Sequence, residues 1–186
     1  NTTSGVISIA NAGDLALNLV DNGSRPVTIS ATGAITDNNG DSTNIVASSL
    51  TLTAATGIGA ANAIETLATS ISADTTNGDI RLANSSGSAV MIPSLTTGTG
   101  NVLFAESGAG SLSINTLQAG GNIEITTESA LTLGGSVLTG GGGSLTLTNG
   151  GLLTLADTAN FSIGGNFTQN GAGAVDTAAR IDADGN

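Results

Sequence analysis

Along most of this chain, short apolar-x-apolar bursts alternate with glycine, asparagine or small polar residues, and no burst runs long. The stretch GGNIEITTESALTLGG, residues 120 to 135, shows the rule: Ile123 and Ile125 form one burst, Leu131 and Leu133 the next, and each runs into a turn. Alternation over so few residues predicts short β-strands with one face inside and one outside. Aligned on their first apolar residue, the bursts fall at Val6, Val27, Leu50, Ile80, Val102, Ile123, Leu145 and Phe167. The steps are 21, 23, 30, 22, 21, 22 and 22, so six of seven share one period and the chain is a repeat protein. A second series trails the first at Leu15, Ile35, Ile58, Val90, Leu112, Leu131 and Leu152. A weaker third supplies Leu95, Leu117 and Val137, with Ile163 as a looser member.

Each repeat therefore holds two to three short strands. At about 3.3 Å per residue, three such segments joined by tight turns close one coil, and coils stacked about 4.8 Å apart set each strand beside its equivalent. The expected fold is all-β: a parallel β-helix, or β-solenoid, of about eight coils of 21–23 residues, forming one rod of roughly 40 Å over residues 1–186. Strands stop because the chain turns a corner, where Gly and Asn tolerate unusual φ. Ile123 and Ile125 should stack between Val102/Phe104 and Leu145/Leu147, while Ser8, Thr28, Thr51, Arg81, Leu103, Glu124, Thr146 and Thr168 face water. Asp79, Asn101, Asn122 and Asn166 open successive turns and are expected to hydrogen-bond along the axis.

The single long step, Leu50 to Ile80, carries about eight residues more than the period and marks an excursion over residues 53–79. Ile64, Leu67 and Ile71 keep an i, i+3, i+7 spacing, so a short helix or extruded loop is expected there, with an extra strand at Ser70-Ile71-Ser72 as the alternative. Loops leaving a solenoid concentrate binding functions, which makes this segment the first place to look for one.

Composition narrows the chemistry. Charged residues make up 9% against roughly 25% in an ordinary domain; there are 28 Gly, three Phe, and no Trp, Tyr, His, Cys or Lys. The core must therefore be built from Val, Ile, Leu and Ala. Recurrent Ile, Val and Thr argue against disorder. The formal charge is −11, with Arg25, Arg81 and Arg180 as the sole cations, which disfavours nucleic acid. A cysteine-free chain rich in Asn, Thr, Ser and Gly suits an exported bacterial protein, and no apolar run is long enough for a membrane-spanning helix. The chain reads as a piece of a larger exported protein.

Catalysis on polysaccharides, a known use of β-helices, needs paired carboxylates or a base beside a metal or cationic clamp. With no His or Lys and three arginines in different coils, the chain is read as a non-enzyme. Glu124 and Glu128 are split between a strand and the next corner. Calcium is the better candidate ligand: Asp37, Asn39 and Asp41 in DNNGDSTN have the alternate spacing of calcium loops, but Ser48 stands where a bidentate Glu belongs. Asp182 and Asp184 in DADGN form a similar fragment. Both are weighed against plain Asx turns. A flat Thr face able to bind ice is suggested by Thr51/Thr53 and Thr146/Thr148 and opposed by Arg81, Leu103 and Glu124 at the equivalent sites. Phe104 and Phe167 are expected inside, leaving Phe161 as the one aromatic free to act elsewhere.

The run from SSLTLTAATGIGAANAIETLATSISADTTNGDIRLANSSG through GNVLF, GSLSINTLQAGGNIEIT and GSLTLTNGGLLTL to GNFTQNGAGAV resembles the repeat region of large filamentous-haemagglutinin-type bacterial surface proteins, over about Gly5 to Val175. The resemblance implies a right-handed parallel β-helix forming the shaft of an exported adhesin or filament, often secreted through an outer-membrane partner, with no catalytic motif to carry over. The expected role is an extracellular structural rod at the bacterial cell surface. Its partners would be flanking repeats of the same protein, a second copy end to end, or a host glycan or protein. The alternatives are a glycan- or protein-binding module that uses the 53–79 segment or a calcium site, and, behind it, a polysaccharide-active enzyme.

Overall fold

A computed structural model describes residues 5–184. Every strand pairing in it is parallel, and no helix occurs among the described residues. Two long sheets run along the axis of a β-solenoid of about eight coils. The first is built from Ile7–Asn11, Val27–Ala31, Ser49–Ala54, Ser70–Thr75, Val90–Thr97, Leu112–Ala119 and Leu131–Thr139, and then divides into Leu153–Leu155 with Val175–Thr177 and Asn160–Ile163 with Ile181–Ala183. The second is eight-stranded and runs from Val20–Asp21 through Ile45–Val46, Ile64–Leu67, Ile80–Asn84, Val102–Glu106, Ile123–Thr127 and Leu145–Asn149 to Phe167–Gln169. Leu15–Leu17 and Ile35–Asp37 make a short extra pair, joined to Ile80 through bridges from Ile35 to Ile58 and from Ile58 to Ile80.

Apolar ladders fill the interior. In the first sheet Ile9, Ile29, Leu52 and Ala73 lie in register, followed by Leu95, Leu117, Val137 and Phe161. A second ladder runs from Leu15 and Ile35 of the extra pair through Ile58 to Ile80, Val102, Ile123, Leu145 and Phe167 of the second sheet. Ile123 and Ile125 sit between Val102/Phe104 and Leu145/Leu147, as the pattern requires. Each fully buried Ile or Leu contributes about 1.5–3 kcal/mol, so the fold needs no aromatic centre. Phe161, expected to be free, is 2% exposed and belongs to the core; Phe167 is half-buried on the last strand of its sheet.

The excursion over 53–79 is not present as a helix or a projecting loop. Ile64–Leu67 and Ser70–Thr75 are strands of the two sheets, so the alternative strand at Ser70-Ile71-Ser72 is the one found. Leu50 pairs with Ile71, 21 residues on, and Ile58 bridges Ile80, 22 residues on. The step of 30 arises because the first series changes sheets: Val27 and Leu50 lie in the first sheet, Ile80 and its successors in the second. The helical spacing of Ile64, Leu67 and Ile71 dissolves accordingly. Ile64 and Ile71 point inward from different strands, and Leu67 is 44% exposed.

Two single-residue offsets also appear. At the first coil Ile7 and Ile9 face inward while Val6 is exposed, and at GLLTL Leu153 and Leu155 are buried while Leu152 is 45% exposed. With a period of two, a one-residue shift exchanges the faces. The third series is the far half of a bent strand: Val90–Thr97 and Leu112–Ala119 carry register shifts at Met91/Ser94 and Ile114/Thr116 that turn the strand through a corner without ending it. Pro93 sits within the first of these irregularities, where a missing N–H is tolerated.

Candidate functional site

The Asn and Asp residues that open the turns do build a ladder along the axis. The Asp79 Oδ1 accepts the Asn101 backbone N–H at 2.8 Å, Asn101 Oδ1 accepts that of Asn122 at 2.8 Å, and Asn122 Oδ1 that of Ser144 at 2.8 Å. Ser144 Oγ continues it by accepting the Asn166 N–H at 3.0 Å. Each side chain satisfies a backbone donor where the strand hydrogen bonding is interrupted by the corner. At Asn77-Gly78 the same corner demands glycine: Gly78 has φ +84°, and a Cβ there would meet the Thr56 carbonyl oxygen.

The residues proposed for calcium have other engagements. Asp37 Oδ1 accepts from the Asn39 N–H at 2.9 Å and from Asn44 Nδ2 at 2.7 Å, and Oδ2 accepts from Asn62 Nδ2 at 2.7 Å. Asn39 Oδ1 takes a second hydrogen bond from Asn44 Nδ2 at 2.7 Å. The oxygens that would hold a cation receive amide protons instead, and these bonds, led by the Asn39 backbone N–H, hold the Asp37 carboxyl below its usual range. Asp41 is exposed on the turn. Asp182, at the other end, lies 3.5 Å from Arg180 Nη2 with both side chains largely exposed, and Asp184 is exposed as well. Among the described residues no group of three or more acidic, His or Cys side chains is placed to hold a metal ion.

Beside this network lies Glu65, which the sequence did not single out. Its Oε2 is buried without a partner. Burial, and then the nearby Asp37 and Asp41, raise its carboxyl pKa above the usual value, although its own backbone N–H works the other way. A second buried carboxylate is Glu106, 1% exposed on the inner side of its strand. Its Oε1 accepts from the backbone N–H of Ser86 at 2.9 Å and Gly108 at 3.0 Å, and its Oε2 from Asn84 Nδ2 at 2.6 Å. Thr66, Asn84, Glu106, Thr127 and Asn149 are in register, a buried polar column at one corner of the solenoid. All four hydrogen-bond capacities of the Asn84 amide are met by protein groups and both Glu106 carboxylate oxygens accept from protein donors, which makes this column a structural element. The pattern V-x-F-x-E already marks Glu106 as inward; the alternation has only to be followed one residue pair further.

Among the described residues the grooves on the outer faces are open to solvent. Arg81, Leu103 and Glu124 are neighbours on the outside of the second sheet and line two shallow grooves of about 200 and 230 Å³. Ala63 walls one of them, and the Arg81 Nε is buried with no hydrogen-bond partner. The residues set against a hydroxyl face do not lie on the face of Thr51 and Thr53. Thr51 and Thr53 lie on the first sheet, whereas Arg81, Leu103 and Glu124 interrupt the second. Thr51 continues a run of Ser8, Thr28, Thr51, Ser72 and Ser94 in register, with Asp74 beside it. Glu124 and Glu128 are both exposed and lie on a strand and the following corner. Comparison of the chain with protein families, curated proteins and solved structures finds no match.

Proposed function

We propose that this chain is a load-bearing segment of an extracellular rod, a shaft piece of a bacterial surface adhesin or filament, without a catalytic role. The observation that carries the reading is the continuity of the interior: the apolar ladder from Leu15 to Phe167 passes from the short pair through Ile58 into the second sheet without a gap. Parallel hydrogen bonding on every coil and a stacked aliphatic column resist bending and proteolysis, and with three arginines and no lysine trypsin has few sites. Within the described residues Ile7–Asn11 pairs on one side only, and so does Phe167–Gln169 at the far end. Such edges favour further coils of the same kind or a second copy stacked head to tail. The resemblance to filamentous-haemagglutinin-type repeats supports an exported, cell-surface location.

Electron microscopy at several protein concentrations tests this. Rods of roughly 40 Å, single or joined axially into filaments one solenoid wide, are expected; compact or irregular particles would overturn the rod. A second reading, a glycan- or protein-binding module, draws on the groove lined by Ala63 and Arg81, to which the 53–79 segment contributes Ala63. A glycan and protein array probed with the parent and with Arg81→Ala separates the two: binding lost with Arg81 would favour the module.

A further inference from the structure

The chain contains five Asn-Gly steps, at Asn22, Asn39, Asn77, Asn149 and Asn170. This dipeptide is the one most prone to spontaneous deamidation, because glycine leaves its own amide nitrogen unhindered. That nitrogen attacks the Asn Cγ, a C–N bond forms and the Cγ–Nδ2 bond breaks, and ammonia leaves with the glycine amide proton. Water then opens the cyclic imide, giving aspartate or isoaspartate. The reaction needs a free side-chain amide and a free glycine N–H.

The five sites differ sharply in both respects. At Asn22, which is buried, Nδ2 donates to the Pro26 and Gly5 carbonyls at 2.8 and 3.2 Å, and the Gly23 N–H is held by Asp21 Oδ1 at 2.8 Å. At Asn39, Nδ2 donates to the Asn18 carbonyl at 2.6 Å, its Oδ1 accepts from Asn44, and the Gly40 N–H is directed at the Asp37 carboxylate. At Asn149, 1% exposed, Nδ2 donates to the Gly151 carbonyl at 2.6 Å, Oδ1 accepts from Gln169, and the Gly150 N–H donates to the Thr127 carbonyl at 3.0 Å. Asn77 is exposed; its side chain has one long contact, from Thr99 Oγ1 at 3.4 Å, and the Gly78 N–H donates to no backbone carbonyl. Asn170 is exposed with an unengaged side chain, and the Gly171 N–H is likewise without a carbonyl partner.

We propose that Asn77 and Asn170 are sites of water-dependent deamidation in the folded protein, and that Asn22, Asn39 and Asn149 are protected by their hydrogen bonds. The Asn77 site has structural weight. The Gly78 carbonyl receives the hydroxyls of Thr75 and Thr97 at 3.1 and 2.7 Å, so an isoaspartate, which lengthens the backbone at this corner, displaces an acceptor shared by two coils. In a long-lived rod it would be a mark of age written at a defined coil.

Peptide mapping by mass spectrometry tests the assignment, after the folded chain and a urea-unfolded sample are held in warm, mildly alkaline buffer made with heavy-oxygen water. In the folded chain Asn77 and Asn170 convert and take up the heavy oxygen. The other three lag by roughly tenfold or more, the factor set by about 1.4 kcal/mol of local opening. Unfolding brings all five to similar rates. Conversion of Asn22, Asn39 or Asn149 in the folded chain as fast as Asn77 and Asn170 would overturn the proposal. So would persistence of Asn77 and Asn170 under conditions that consume them in the unfolded chain.

Discussion

Replacing Ile125 by Asp tests the interior assignment most directly. Ile125 is fully buried and stacked between Phe104 and Leu147. Its loss as an apolar side chain removes about 2–3 kcal/mol of burial. The new carboxyl meets no donor in an aliphatic ladder. It either stays charged, at several kcal/mol, or takes up a proton and leaves a buried polar group unsatisfied, at about 1–3 kcal/mol. Even by the cheaper route the sum is about 3–6 kcal/mol, a large part of the roughly 5–15 kcal/mol that holds a domain together. For a chain of this length each kcal/mol moves the midpoint by roughly 2–4 °C, so Tm should fall by about 6–24 °C, or the chain should fail to fold. The assay is a thermal melt followed by far-ultraviolet circular dichroism, with Glu124→Ala on the exposed neighbour as control, expected within about 0.5 kcal/mol of the parent. A melt of the Asp variant that superimposes on the parent would refute both the inward position and the register.

Other outcomes follow from single sites. Leu153→Ala should cost about 2–5 kcal/mol in urea denaturation and Leu152→Ala within about 0.5 kcal/mol; the reverse order would show the strand turned over. Glu106→Ala strands the Ser86 and Gly108 N–H groups and the Asn84 amide, a loss of about 3 kcal/mol or more. Glu106→Gln should also destabilise, because its new amide would face the Asn84 amide donor, and a Gln variant equal to the parent would contradict that geometry. Glu65→Gln should raise Tm at neutral pH and have no effect in acid. The raised pKa means that the folded state holds its proton more tightly, so the glutamate's favourable contribution is complete below the ordinary carboxyl range and lost as pH rises through the raised value. A gain that persisted unchanged at low pH would refute this cause. Asp37 has the opposite sign, its contribution being present at neutral pH and lost on acidification through its lowered value.

Much of this architecture is written in the period of the sequence, and the largest departure from it has one origin. The 22-residue step, the two-residue alternation and the Asn/Asp corners are local properties, and they place Ile123, Ile125 and the corner acceptors Asp79, Asn101 and Asn122 correctly, while Ser144 takes the next place in the ladder and Asn166 enters it through its backbone N–H. Which strand belongs to which sheet is a long-range property. An apolar-x-apolar burst looks alike on either sheet, so the series beginning at Val27 passed unnoticed from one to the other between Leu50 and Ile80. That crossing produced an apparent excursion and set Arg81, Leu103 and Glu124 against Thr51 and Thr53, which they do not neighbour. Asp37 and Asn39 were visible as ligand-type residues. Their saturation by Asn44 and Asn62 was not, since Asn62 lies 25 residues away in sequence from Asp37 and meets it only when coils stack.

The corner ladder from Asp79 to Asn166 has a direction. In every step the earlier coil supplies the side-chain oxygen and the later coil supplies the backbone N–H. At the same corners the backbone bonds run the other way, Ile80, Val102, Ile123 and Leu145 of the earlier coil donating to the carbonyls of Asn101, Asn122, Ser144 and Asn166 in the later one. Each corner is therefore tied to the next by bonds of both senses, one of them made by a side chain and removable by substitution without touching the backbone.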